Sequence, residues 1–263
     1  MSKQNESAGP VESVSCDFGI VVSEAAETGS ITDKLSGVVK TQGHGFKVVE
    51  GGSNGRRIVV FEAGEAGAAT ATRSLIQGHQ PRWVMAAGFA TGLVPNLRRG
   101  DLIVGNGVAD MSGRRLAIDF KQPPVSGGLE FQVGRVVTLD RRPRNPEEKQ
   151  QLAGQKNAIV ADMNSMSVAD VCREQNVLCL VVRVVLEQLD DRISEEVQNL
   201  VEQKSIAGKL GATVAMAKRP ASVKDWLSSK QESLSSADRL ASFLIEMIQQ
   251  LAPTAKGPEG KPC

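Results

Sequence analysis

A few carboxylates and arginines set the chemistry this chain can attempt. Glu24 and Glu27 stand three apart directly after the apolar run Phe18–Val22. On a helix that spacing puts both on one face, where carboxyls can hold and transfer a proton. The same residues suit an ordinary helix start, with Ser23 as N-cap and first-turn acids complementing the dipole. Arg141, Arg142 and Arg144 crowd ahead of Pro146. They can grip an anion, or simply solvate a loop before a helix beginning near Glu147. Arg183 interrupts the run Val177–Val185, VLCLVVRVV. A charge buried there needs a partner, so Arg183 is expected to be structural, bonded to backbone carbonyls or to a carboxylate such as Asp162.

The elements that must position these groups are organised around Trp83–Asn106, WVMAAGFATGLVPNLRRGDLIVGN. Val84–Ala87 is apolar without alternation, as in a strand buried on both faces. It leads into Gly88-Phe89-Ala90-Thr91-Gly92, read as a glycine turn where backbone approaches a ligand closely. Arg99-Gly100-Asp101 then turns the chain into a second strand, Leu102–Val104. That plan puts a ligand site at a strand's carboxyl end. Lys47–Glu50 and Arg57–Glu62 read as strands joined through Gly51–Gly55. Ala63–Ala69 opens an Ala-rich helix ending near Gly78; with no Gly-Lys-Ser/Thr it is not a P-loop. Asp110–Phe131 reads as a long loop, Arg135–Leu139 and Ala158–Val160 as strands. Beyond Arg192 the chain reads as helical: Ser194–Leu210, Val223–Lys230 and Ser236–Leu251, the last with Leu240, Leu244, Ile248 and Leu251 on one docking face.

In its order of segments the chain resembles the nucleoside phosphorylase superfamily, and within it the methylthioadenosine/S-adenosylhomocysteine nucleosidases. The turn G-F-A-T-G-L stands where these have G-S-A-G-G-L, followed in both by Gly-Asp and an apolar strand. The resemblance implies a single α/β domain: a central mixed, twisted sheet flanked by helices, assembled as a homodimer. It also implies roles. Glu27 falls where the "IGIIGAMEEE" strand ends in a glutamate acting as general acid on the purine. Phe89 replaces the serine of the glycine turn. Arg142 stands where "VSGDxF" has the phenylalanine that packs on the base. Met163 and Asn164 match the methionine and glutamate of "VEMEATAIA" that hold the ribose. Glu187 falls on the aspartate of "VVRAISDxxD" that protonates or bonds purine N7, and Asp190 on the second aspartate.

Composition narrows the classes. The 31 basic and 30 acidic residues nearly cancel, which argues against a nucleic-acid partner or an anionic membrane. No stretch reaches membrane-spanning length, and Met1–Glu12 lacks an apolar core for a signal peptide. Four cysteines without paired spacing and two histidines give no metal or haem framework. The expectation is a cytoplasmic protein with reduced thiols and no cofactor or metal, acting on a small-molecule nucleoside. Domain boundaries are expected at a disordered leader 1–14, a domain 15–252 with a helical insertion near 192–230, and a flexible tail 253–263.

The expected activity is hydrolysis of the N-ribosidic bond of a purine nucleoside or related metabolite, with Glu27 and Glu187 catalytic. Phe89, Arg142, Met163 and Asn164 are expected to bind substrate. Water is favoured over phosphate as nucleophile, because the turn lacks the family serine and Gly19–Glu27 contains no arginine. Two alternatives stand beside it: a phosphorolytic enzyme, and a nucleoside- or nucleotide-binding protein of the same fold without turnover, since Phe89, Arg142, Asn164 and Glu187 all depart at chemical positions.

Overall fold

The computed structural model describes residues 15–43, 45–118, 130–192 and 220–251, with side chains from residue 230 onward in the last stretch. The expected leader, the helix Ser194–Leu210 and the tail 253–263 lie outside the described residues.

The first strand, β1 (Phe18–Val22), leads into α1 (Ala25–Thr32); β2 (Ser36–Gly43), β3 (Phe46–Ser53) and β4 (Arg56–Glu62) follow. A short 3₁₀ turn opens α2 (Gly67–His79), and then come β5 (Trp83–Gly92), β6 (Leu102–Ala109), β7 (Arg115–Ala117) and β8 (Phe131–Thr138). The chain continues through α3 (Pro146–Lys156), β9 (Val160–Asp162), α4 (Ser165–Glu174), β10 (Leu178–Glu187) and a long α5 (Pro220–Gln250). The expected helices Val223–Lys230 and Ser236–Leu251 are one continuous helix.

All ten strands belong to one mixed sheet. β1 runs parallel to β4 and β5, and β10 runs parallel to β5. β6 turns antiparallel to β10 and parallel to β8, β8 is parallel to β9, and β9 closes back antiparallel onto β5. β5 therefore pairs along its length with β10 and at its end with β9. This dual pairing corrects the expected turn at Gly88–Gly92: the segment is strand, and its glycines serve close approach rather than reversal.

The apolar runs are continuous because both sheet faces are covered. Odd positions of β10 (Val181, Val185) pack with Val84 and Ala86 under α2 and α4, supplied by Leu75, Val168 and Cys172. Even positions (Leu180, Val182, Val184) pack with Ile20, Val60 and Met85 under α1 and α5, where Leu240, Leu244 and Ile248 lie. A third cluster seats α3 through Leu152 on Leu93, Val137 and Ala161. The connection between β3 and β4 is tighter than Gly51–Gly55. Pairing runs to Ser53 with Arg56, leaving Asn54 and Gly55 at φ 49° and 74°, the Asn-Gly turn that matches strand twist. Among the described residues no helix is long and apolar enough to cross a membrane.

Candidate active site

The parallel strands β1, β5 and β10 end at the same edge of the sheet, and that edge collects the chemistry. β9 runs the other way, pairing Ala161 with Thr91, so Met163 and Asn164 come back to the level of Phe89. Because Thr138 pairs with Asp162, the loop after β8 delivers Arg142 to the same rim.

Glu27 is buried in the first turn of α1. Its Oε2 accepts the amides of Ser23 and Glu24, each at 2.9 Å, and its Oε1 accepts the amide of Phe89 at 2.8 Å. Burial pushes this carboxyl above its usual range, opposed by the three amides and by the nearby Arg183. Glu24 and Glu27 do not share a face. Glu24 is the N-cap in extended conformation and exposed, because Glu27 reaches back to cap the cap residue's own amide. Ser23, expected as N-cap, instead accepts the side-chain amide of Asn164.

Gly88, at φ 148°, lies between Glu27 and Arg183; a Cβ there would sit 2.7 Å from both Glu27 Oε1 and Arg183 Nη1. Arg183 falls on the α4 face of β10. It donates to Asp162 Oδ2 at 2.6 Å and to the Ser165 hydroxyl at 2.9 Å, so the expected pairing with Asp162 is present. Asp162 also accepts the Thr138 hydroxyl and the Ser165 amide, which removes Asn164 from the task of capping α4.

Glu187 stands further along, level with Thr91 of β5. Its Oε2 accepts the Thr91 hydroxyl at 3.0 Å and its Oε1 accepts Arg142 Nη1 at 3.1 Å. Arg142 Nη2 lies 4.0 Å from Glu24 Oε1. Arg141, by contrast, pairs with Glu148 at 2.7 Å over the start of α3, where Asn145 accepts the Glu148 amide. Of the clustered arginines this one is the solvated kind, and Arg142 is turned to the cleft. Glu27, Phe89, Asn164, Arg142 and Glu187 are thus linked through Ser23, Glu24 and Thr91 into one rim, with Met163 exposed beside them. Asp190 is exposed. A separate groove of about 400 Å³ between α1 and β2–β4, lined by Thr28, Lys40, Lys47 and Glu62 among others, contains none of the six expected site residues. Among the described residues no cluster of side chains could hold a metal.

Sequence reasoning missed the residues that fix Glu187. Lys149 is fully buried and donates to the carbonyls of Gln188 and Asp191, both at 2.7 Å, and burial pulls its ammonium below the usual range. Arg99 donates to the Leu186 carbonyl at 2.8 Å and to Asp191 Oδ2 at 2.9 Å. Lys149 sits in the polar string PEEKQQ, which carries no signal of burial. Thr91 was legible only as part of the glycine segment.

The arrangement offers one buried carboxyl with a raised proton affinity and, across β5, one carboxyl paired with a guanidinium. The family model described as the phosphorylase superfamily matches residues 17–217. A 5'-methylthioadenosine/S-adenosylhomocysteine nucleosidase of Haemophilus influenzae is 24% identical over 222 residues, covering 74% of this chain and 96% of that protein. The structure of the nucleosidase of that name from Helicobacter pylori, with butyl-thio-DADMe-Immucillin-A, superposes with a TM-score of 0.69 at 18% identity, covering 90% of this chain and 99% of the other. Futalosine hydrolase of Helicobacter pylori gives 0.69 at 19% identity, covering 90% and 98%. These structural likenesses establish the fold.

Proposed function

Because this chain belongs to the phosphorylase superfamily, we propose that it hydrolyses the N-ribosidic bond of a purine nucleoside or a related metabolite. The observation that carries the reading is Glu27: a buried carboxyl with raised proton affinity, held by three amides, at the strand edge that also bears Glu187. Water attacks C1′ as the bond to N9 breaks and its electron pair enters the base, through an oxocarbenium-like transition state. Glu27 takes the proton from the water; its raised affinity suits that task near neutral pH. Glu187, fixed by Thr91, carries a proton to N7 of the leaving base. Asn164 and Met163 hold the ribose: the amide both donates and accepts, as a diol requires. Phe89 gives its amide to Glu27, while its ring packs against the core cluster under α1 and α5. The names of the similar proteins, nucleosidases and a hydrolase, support water as the nucleophile. The resemblance extends the proposal to a cytoplasmic homodimer.

Arg142 on Glu187 favours a second reading, a nucleoside-binding protein without turnover, because both carboxyl oxygens already have protein partners, Arg142 on Oε1 and Thr91 on Oε2. Incubating the purified protein with methylthioadenosine, adenosylhomocysteine, inosine and futalosine, with and without phosphate, separates the two. Hydrolysis predicts release of free base without phosphate, and a loss of about a hundredfold or more on Glu187→Gln. Binding of a nucleoside with no base released from any of them supports the second reading and refutes the first.

A further inference from the structure

We propose that Arg142 makes this cleft selective for N-ribosides whose base carries a carbonyl oxygen next to N7, the 6-oxopurines, over bases with an amine there; this rests on the hydrolytic reading of the same site. Arg142 enters from the loop between β8 and α3, its side chain 35% exposed, with Nη1 bonded to Glu187 Oε1 at 3.1 Å and Nη2 4.0 Å from Glu24. A guanidinium has five N–H donors, no acceptor, and keeps its charge at any working pH. Among the described residues its remaining N–H groups have no other protein acceptor. Hydrogen-bonded to the carboxyl that addresses N7, the guanidinium lies along the edge of the base, where the neighbouring position is the 6-substituent.

A carbonyl at that position accepts from Arg142. An amine brings two more donors against a group that can only donate, and no rotation of the guanidinium turns a donor into an acceptor. Arginine donates to the same O6 when it reads guanine; here N7 is left to Glu187. As the C1′–N9 bond breaks, its electron pair passes into the ring and negative charge gathers on N7 and on O6. A cation fixed beside them stabilises the departing base more than the bound nucleoside, so the selection appears in kcat/KM as well as in binding.

The test compares inosine with adenosine, alike except at position 6, on wild type and Arg142→Gln. Calorimetry of hypoxanthine and adenine on the same two proteins gives a readout that needs no turnover. Wild type is expected to favour inosine by roughly tenfold to a hundredfold, the scale of one hydrogen bond to a charged group, with hypoxanthine binding tighter in the same sense. Arg142→Gln is expected to bring both ratios to within about threefold, because an amide can donate to a carbonyl or accept from an amine. Adenosine turned over as well as inosine by wild type, or a preference that survives Arg142→Gln, overturns the role of Arg142 and leaves hydrolysis standing. No turnover of these two nucleosides or of methylthioadenosine, adenosylhomocysteine and futalosine, but a hypoxanthine preference lost in Arg142→Gln, overturns hydrolysis and leaves the selection standing. Equal binding of the two bases, or of neither, without turnover of any of the five nucleosides overturns both.

Discussion

Replacing Gly88 by alanine tests how tightly the centre of the site is built. The added Cβ would lie 2.7 Å from Glu27 Oε1 and from Arg183 Nη1, where ordinary contact begins at 3.4 Å. One side must yield by about 0.7 Å. Yielding at Glu27 stretches its 2.8 Å bond from the Phe89 amide to about 3.5 Å, where little of a hydrogen bond is left. The lost bond to a charged group costs about 1.5–3 kcal/mol. The φ of 148° adds strain of order 1–3 kcal/mol for a residue with a side chain. A total near 4 kcal/mol lowers the melting temperature by roughly 10 °C for a chain of this size. Displacing Glu27 by even part of an ångström should also cut turnover on the order of a hundredfold. Gly29→Ala is the matched control: it lies in α1, and nothing stands within 4 Å of its added Cβ. There alanine should raise stability by about 0.5–1 kcal/mol through helix propensity alone. Calorimetric melts and a substrate assay on both variants decide it. A Gly88→Ala protein melting within about 2 °C of wild type and retaining full activity would refute the packing argument.

Glu27→Gln should lower turnover by about 10²–10⁴, and it carries a pH signature. The folded chain binds Glu27's proton more tightly than the unfolded chain, whose carboxyl has the ordinary value of 4.5. The contribution to stability is therefore present below 4.5 and lost as pH rises through the raised folded value. Urea melts should show the variant gaining on wild type over that window, and a difference independent of pH would contradict the burial argument. Lys149→Met strips two half-buried carbonyls of their donor. It should cost about 2 kcal/mol, since relief from burying the ammonium offsets part of the loss. Amide exchange should quicken at Gln188–Asp191, with turnover reduced about tenfold through misplacement of Glu187; unchanged exchange there would show that Arg99 holds the loop alone.

How much of this was legible in the sequence follows from burial. β1, β5 and β10 were readable because sheets covered on both faces leave continuous apolar runs. The one charge in β10 was readable as a paired group for the same reason. β2 left no such trace: it lies at the sheet edge, and its residues SGVVKTQG are mostly exposed. The glycines of Gly88–Gly92 resembled a turn because composition cannot distinguish a chain that bends from one that must let two side chains past it. The spacing of Glu24 and Glu27 suggested a shared face, and only the capping geometry shows that Glu27 turns inward and Glu24 outward. Of the residues drawn from the resemblance, Glu27, Phe89, Asn164, Arg142 and Glu187 are joined by bonds through Ser23, Glu24 and Thr91. What the resemblance could not supply was the Arg142–Glu187 bond, made by two residues that both depart from the pattern.

The central claim, water attack on an N-riboside at this edge, is tested most directly by running the reaction in H₂¹⁸O. The released sugar is trapped by borohydride before it exchanges with solvent and weighed by mass spectrometry. The account predicts one ¹⁸O in the trapped sugar, at the same rate with phosphate present or absent, and loss of that signal in Glu27→Gln. Unlabelled ribose 1-phosphate formed only with phosphate, or nucleoside bound with no sugar released at all, would contradict it.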